Sequence, residues 1–186
     1  QELVEKYMKV FDEYLHLYHH DEITRDSIRE MKRTSLTAVR ILGICEKINE
    51  ELEQTQKIYV IIQLIEYVAY GIEIREKELD FLQTVASAFN IPETEYRNIL
   101  AFAAYSLADI PQKEQVLLIS NEDQPNHAPF KHIRKSNLFG QLAFLHIDSM
   151  NSYVLRYHGQ DNLYLNGQRI HSGLTYFFEH GSSIRD

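Results

Sequence analysis

At 186 residues the chain is long enough for one ordinary domain with a sizeable core, or for two small ones. Apolar residues make up 44% and charged residues 25%, a globular balance that excludes a disordered chain, and the lone cysteine, Cys45, excludes a disulfide framework and a cysteine-based zinc site. The net charge of −8 is unevenly placed: residues 1–110 hold 20 acidic and 12 basic side chains and residues 111–186 seven of each, which argues against nucleic acid as a partner.

Residues 2–19 read as a helix, with Leu3, Tyr7, Phe11, Tyr14, Leu15 and Tyr18 at three- and four-residue steps. The chain is helical from its first residue, without a cap, which points to a longer N-terminus upstream. Thr24 or Asp26 is expected to cap a second helix, whose stripe runs through Ile28, Met31, Leu36, Val39, Leu42, Cys45, Ile48 and Leu52. Gly43 within it marks close packing or a break, and Cys45 is expected to be inert core packing. Thr55 is the expected cap of a third helix, apolar on most sides through Ile58, Ile61, Ile62, Leu64, Ile65 and Val68, and therefore central; Gly71 is its expected stop. A fourth helix carries Leu79, Leu82, Val85, Ala86 and Phe89 and stops at Asn90. Pro92 suits the first turn of a fifth, through Tyr96, Ile99, Leu100 and Phe102. Short connections favour antiparallel neighbours.

Beyond Pro111 the periodicity changes. Val116–Ile119, Leu142–Ile147, Tyr153–Tyr157, Leu163–Leu165 and Thr175–Phe178 are short apolar runs between turn residues and read as strands. Asn166-Gly167 between Leu165 and Gln168 predicts a tight hairpin with a type I′ turn. Residues 121–126 read as a mobile loop. The expected architecture is α+β: an antiparallel helical bundle over 1–110, then a small antiparallel β domain over 115–186 that lacks a closing element and whose free edge needs cover.

Motifs for catalysis are missing. No glycine is followed by lysine, so there is no P-loop, and neither a G-x-S-x-G elbow nor an H-E-x-x-H occurs. Uninterrupted apolar runs such as Tyr59–Ile62 fall far short of the roughly 20 residues that cross a bilayer, and no leader pattern opens the chain. Three clusters carry chemistry nonetheless. His16 and His20, with His19, Asp12 and Asp21 nearby, have the i, i+4 spacing of a chelating pair, although a solvated helix end explains them as well. Glu73, Glu76, Glu78 and Asp80 suit the start of the fourth helix; with Glu66 the glutamates could instead hold a divalent cation through carboxylate oxygens. Lys131, His132, Arg134 and Lys135 form the basic cluster, a solvated edge or a contact for a phosphate or an acidic partner.

The stretch Ile62-Gln63-Leu64-Ile65-Glu66, Ala69-Tyr70-Gly71-Ile72-Glu73-Ile74, Glu78-Leu79, Phe89-Asn90-Ile91-Pro92 and Glu95-Tyr96 resembles the TerB-like (tellurite-resistance) helical family over about residues 55–105. That resemblance implies an all-α bundle whose acidic residues bind a divalent metal, with Glu78 at the position of the family's later glutamate. Tyr70 stands where the family has the aspartate of Asp-Gly. Ile44-Cys45-Glu46-Lys47-Ile48-Asn49 and Leu52–Lys57, with Leu163–Gln168 and Gly181–Arg185, resemble the N-terminal region of bacterial ABC transporter ATP-binding proteins, where a TerB-like domain and a small β domain precede the ATPase. That resemblance implies a non-catalytic cytoplasmic regulatory module whose partners are the ATPase and membrane domains of the same or an associated chain. The alternatives are a metal-responsive sensor linked to tellurite or stress resistance, and a hydrolase of unknown type. The β part also resembles a forkhead-associated domain at Leu165-Asn166-Gly167, without the Gly-Arg and Ser-x-x-His that such domains use for phosphothreonine.

Overall fold

The computed structural model describes residues 2–20, 27–70, 73–122 and 130–186, with the side chains at 14, 16–20 and 27–37 outside that description. The architecture is α+β, as expected, and no helix among the described residues is long and apolar enough to cross a membrane. The chain divides into two compact units, Gln1–Pro92 and Glu93–Asp186, so the boundary expected near 110 falls inside the second unit.

The first unit holds α1 (Glu2–His20), α2 (Ser27–Glu51), α3 (Gln54–Val68) and α4 (Glu76–Ala88). Helix α3 is its centre: Ile58, Val60, Ile61, Ile62, Leu64 and Ile65 are all buried, as an all-round apolar helix requires. Phe11 of α1 meets Phe81 of α4 edge to face, with centroids 5.9 Å apart. The buried stripe of α2 runs through Ile41, Cys45 and Ile48 and continues to Leu52 just past its end, whereas Val39 and Leu42 point outward at 67% and 49% exposure. Both sets obey helical spacing, and packing against α4 selects between them. Helix α2 passes through Gly43 without a break, and a Cβ there would meet nothing within 4 Å, so that glycine marks neither close packing nor an interruption. Burial pushes the Cys45 thiol up to about 12, which fits an inert core residue.

One cap differs from expectation. Helix α3 starts one residue before Thr55, with Glu53 as its cap residue and Gln56 Oε1 accepting from the Glu53 N–H at 2.9 Å. Helix α4 closes as expected: Asn90 has φ 56°, and the Ile91 N–H returns to the Ala86 carbonyl. The expected caps Thr24 and Asp26, the stop at Gly71 and most of the loop at 121–126 lie outside the described residues.

The second unit opens with α5 (Glu93–Ala104), which packs on the β-sheet. Among the described residues eight strands follow: β1 (Val116–Ser120), β2 (Lys131–Arg134), β3 (Gly140–Ile147), β4 (Ser152–Gly159), β5 (Tyr164–Leu165), β6 (Gln168–Arg169), β7 (Thr175–Phe178) and β8 (Ile184–Arg185). Five form one sheet in the order β2-β1-β3-β4-β7 and three form a second, β6-β5-β8. The larger sheet is mixed rather than antiparallel throughout, because β2 runs parallel to β1. The Asn166-Gly167 hairpin forms as predicted, with φ 50° and 85° and Leu165 opposite Gln168. Leu142, Phe144, Leu155 and Tyr157 on one face of the large sheet build a core with Leu163, Leu165 and Ile170.

Candidate functional site

Strand alternation sends Leu118 and Ser120 of β1, Gln141, Ala143 and Leu145 of β3, and Val154, Arg156 and His158 of β4 to the face opposite that core. The register lines them up in rows. Val116, Leu145 and Val154 make an apolar row; Leu118, Ala143 and Arg156 the next; Ser120, Gln141 and His158 a polar one. The small side chain of Ala143 leaves a cleft of about 350 Å³, lined by Leu118, Gln141, Arg156, His158 and the backbone turn after α5 that includes Tyr105 and Ser106.

Arg156 is engaged in holding the unit together. Its Nε donates to the Gly173 carbonyl at 2.9 Å, and its Nη1 donates to the carbonyls of Phe102 and Ala103 at 2.8 and 2.9 Å. The last two are carbonyls of the final turn of α5, where a cation satisfies acceptors that the helix cannot. At the other end of α5, Glu95 accepts from the Ser149 N–H at 3.0 Å and from its hydroxyl. His158 is exposed at the cleft rim, and partial burial followed by the neighbouring Arg156 charge lowers its pKa below the usual 6.5. At the far end of the same row, Ser120 Oγ and His132 Nε2 are 2.9 Å apart. A hydroxyl beside an imidazole is two-thirds of a nucleophilic triad, but Ser120 is only 5% exposed and, among the described residues, no carboxylate orients the other ring nitrogen.

A second cleft of about 480 Å³ opens on the other face. Leu117 and Ile119 of β1, Phe144 of β3, Tyr153 of β4 and Phe178 of β7 line it. Phe144 and Phe178 pack edge to face at 5.2 Å, and Tyr153 is 43% exposed. His146 on the rim lies 4.8 Å from the Tyr153 ring and is held through Nδ1 by Asp148 at 3.0 Å and Gln115 at 3.2 Å.

The carboxylates singled out from the sequence occupy different surroundings. Glu66 is half-buried on α3 and accepts from Gln63 Nε2 at 3.3 Å; Glu73 and Glu76 are exposed; Glu78 is buried and accepts from the Arg75 N–H at 2.9 Å, which caps the start of α4. Among the described residues, no group of three or more His, Cys, Asp or Glu is placed to hold a metal ion. The side chains of His16, His19 and His20, and all of Asp21, lie outside the described residues. Three of the four basic residues of the 131–135 cluster fall on β2 itself. Sequence reasoning did not single out Gln141, Arg156 or His158. Their signal was present, however, since polar residues at alternate positions of apolar strands must meet either solvent or partners. No family model, no curated protein and no solved structure matches the chain.

Proposed function

We propose that this chain is a non-catalytic interaction module that regulates an ABC-type ATPase, with its β unit as the part that meets the partner. The observation that carries the reading is the open cleft of about 480 Å³, whose floor is apolar and whose Tyr153 stands partly exposed at the rim. Concave apolar surface with a few polar groups on the rim is the usual form of a recognition site. Its counterpart on the opposite face has its cation tied to three backbone carbonyls, as a structural element rather than a reactive group would be. The ABC assignment itself draws on the sequence resemblance at Ile44–Asn49, Leu52–Lys57 and Leu163–Gln168, and it places the module on the cytoplasmic side of a membrane.

The test is the rate of ATP hydrolysis by an ABC-type ATP-binding protein, measured with and without the module. A saturable change in rate, diminished by Tyr153→Ala, supports the reading. An unchanged rate together with no measurable association at 100 times the working concentration, or turnover of generic ester or phosphate substrates by the module alone, overturns it.

A further inference from the structure

Strand β2 is the outermost strand of the five-stranded sheet, and among the described residues β1 is the only strand paired with it. An edge strand presents backbone N–H and C=O groups that can template another chain. The register sets Lys131 beside Leu117, His132 beside Leu118, Ile133 beside Ile119 and Arg134 beside Ser120. Side chains alternate along a strand. Lys131 and Ile133 therefore share the face of the apolar cleft, which Lys131 itself lines, and His132 and Arg134 share the face of Ser120. Lys131, Arg134 and Lys135 are exposed, and so is Ile133, at 52%.

We infer that β2 is a docking edge for an acidic, extended segment of a partner protein, which joins the sheet as a sixth strand. Backbone hydrogen bonds would supply much of the affinity, and the alternating side chains the specificity. Acidic side chains of the incoming strand meet His132 and Arg134 on one face. Apolar side chains on its other face pack beside Ile133, toward the floor formed by Leu117 and Ile119. A second copy of this chain is a poor occupant, because its own β2 would set like charges against like. The inference rests on the interaction-module reading and adds the chemistry of the partner.

The probe is an eight-residue peptide alternating Glu and Val, titrated into the full ¹⁵N-labelled chain, beside a Lys–Val counterpart and a Glu–Val peptide N-methylated at every residue. Strand addition predicts amide shifts confined to residues 131–135 and their β1 neighbours, with binding roughly five- to ten-fold weaker for the Lys–Val peptide. It predicts no such shifts with the N-methylated peptide, which cannot donate backbone hydrogen bonds. The double variant Lys131→Glu with Arg134→Glu, both on the exposed strand, should reverse the charge preference. Equal binding of methylated and unmethylated peptides would mean a diffuse charge effect and overturn the proposal, as would shifts elsewhere or no binding at all. The ATPase assay keeps the two ideas apart: a changed rate without peptide binding sinks only the docking edge, and peptide binding without a changed rate sinks only the regulatory role.

Discussion

Arg156 shows how one side chain can set the character of a cleft. A guanidinium that gives three hydrogen bonds to carbonyls cannot be shortened without leaving those acceptors unpaired. Arg156→Ala should cost about 2–3 kcal/mol in urea unfolding, and Arg156→Lys should recover only part of that, since an ammonium lacks the planar fork. His158 beside it gives a pH signature with a definite sign. Its pKa is lowered in the folded protein by partial burial and then by Arg156, so the unfolded ring takes up a proton near 6.5 that the folded ring resists. The contribution is fully present above pH 6.5 and is lost as the pH falls below it. Unfolding midpoints at pH 7.5 and 5.5 should therefore lie closer together in His158→Gln than in the parent. Strand alternation marks both positions, but the role of Arg156 was not legible, because its partners, Gly173 and the end of α5, are 17 and 53–54 positions away in the chain.

Among the elements, those formed by local rules were legible. Asn166-Gly167 builds its turn because two adjacent residues with positive φ match the strand twist, and Asn166 also binds the Ser183 N–H through Oδ1 at 2.9 Å. Gly167→Val should destabilise the hairpin by about 1–2 kcal/mol, read as a lower melting temperature and weakened β5–β6 cross-strand signals in NMR spectra. Glu78 belongs to the same class of local device. Glu78→Ala should cost about 1 kcal/mol through the lost cap at Arg75, whereas Glu78→Gln, which keeps an acceptor oxygen, should cost much less in the same thermal scan. Strand β2 escaped notice for a physical reason. Lys-His-Ile-Arg has a single apolar residue, and an edge strand with both sides near solvent needs no alternating pattern to be stable. Its existence depends on pairing with β1, which no local rule can foresee.

At the scale of the molecule, the division at Pro92 attaches α5 to the β unit. The polar ties behind it are Glu95 to Ser149, Asn98 to Gln112 and Arg156 to the end of α5. A fragment of residues 93–186 should unfold cooperatively in a thermal melt, whereas one of residues 111–186, stripped of α5, should lose its near-ultraviolet circular dichroism and bind a hydrophobic dye. The amino-acid sequence was enough for five helices, for most strands, for the tight hairpin and for the α+β class. Each of those follows from periodicity, capping chemistry or the φ preference of neighbouring residues, all of which act over a few positions. Which face of α2 is buried, whether α5 travels with helices or strands, the parallel placement of β2 and the two clefts depended on contacts between residues far apart in the chain. Several arrangements satisfy the same local pattern, and only the packing of complete elements against one another chooses among them.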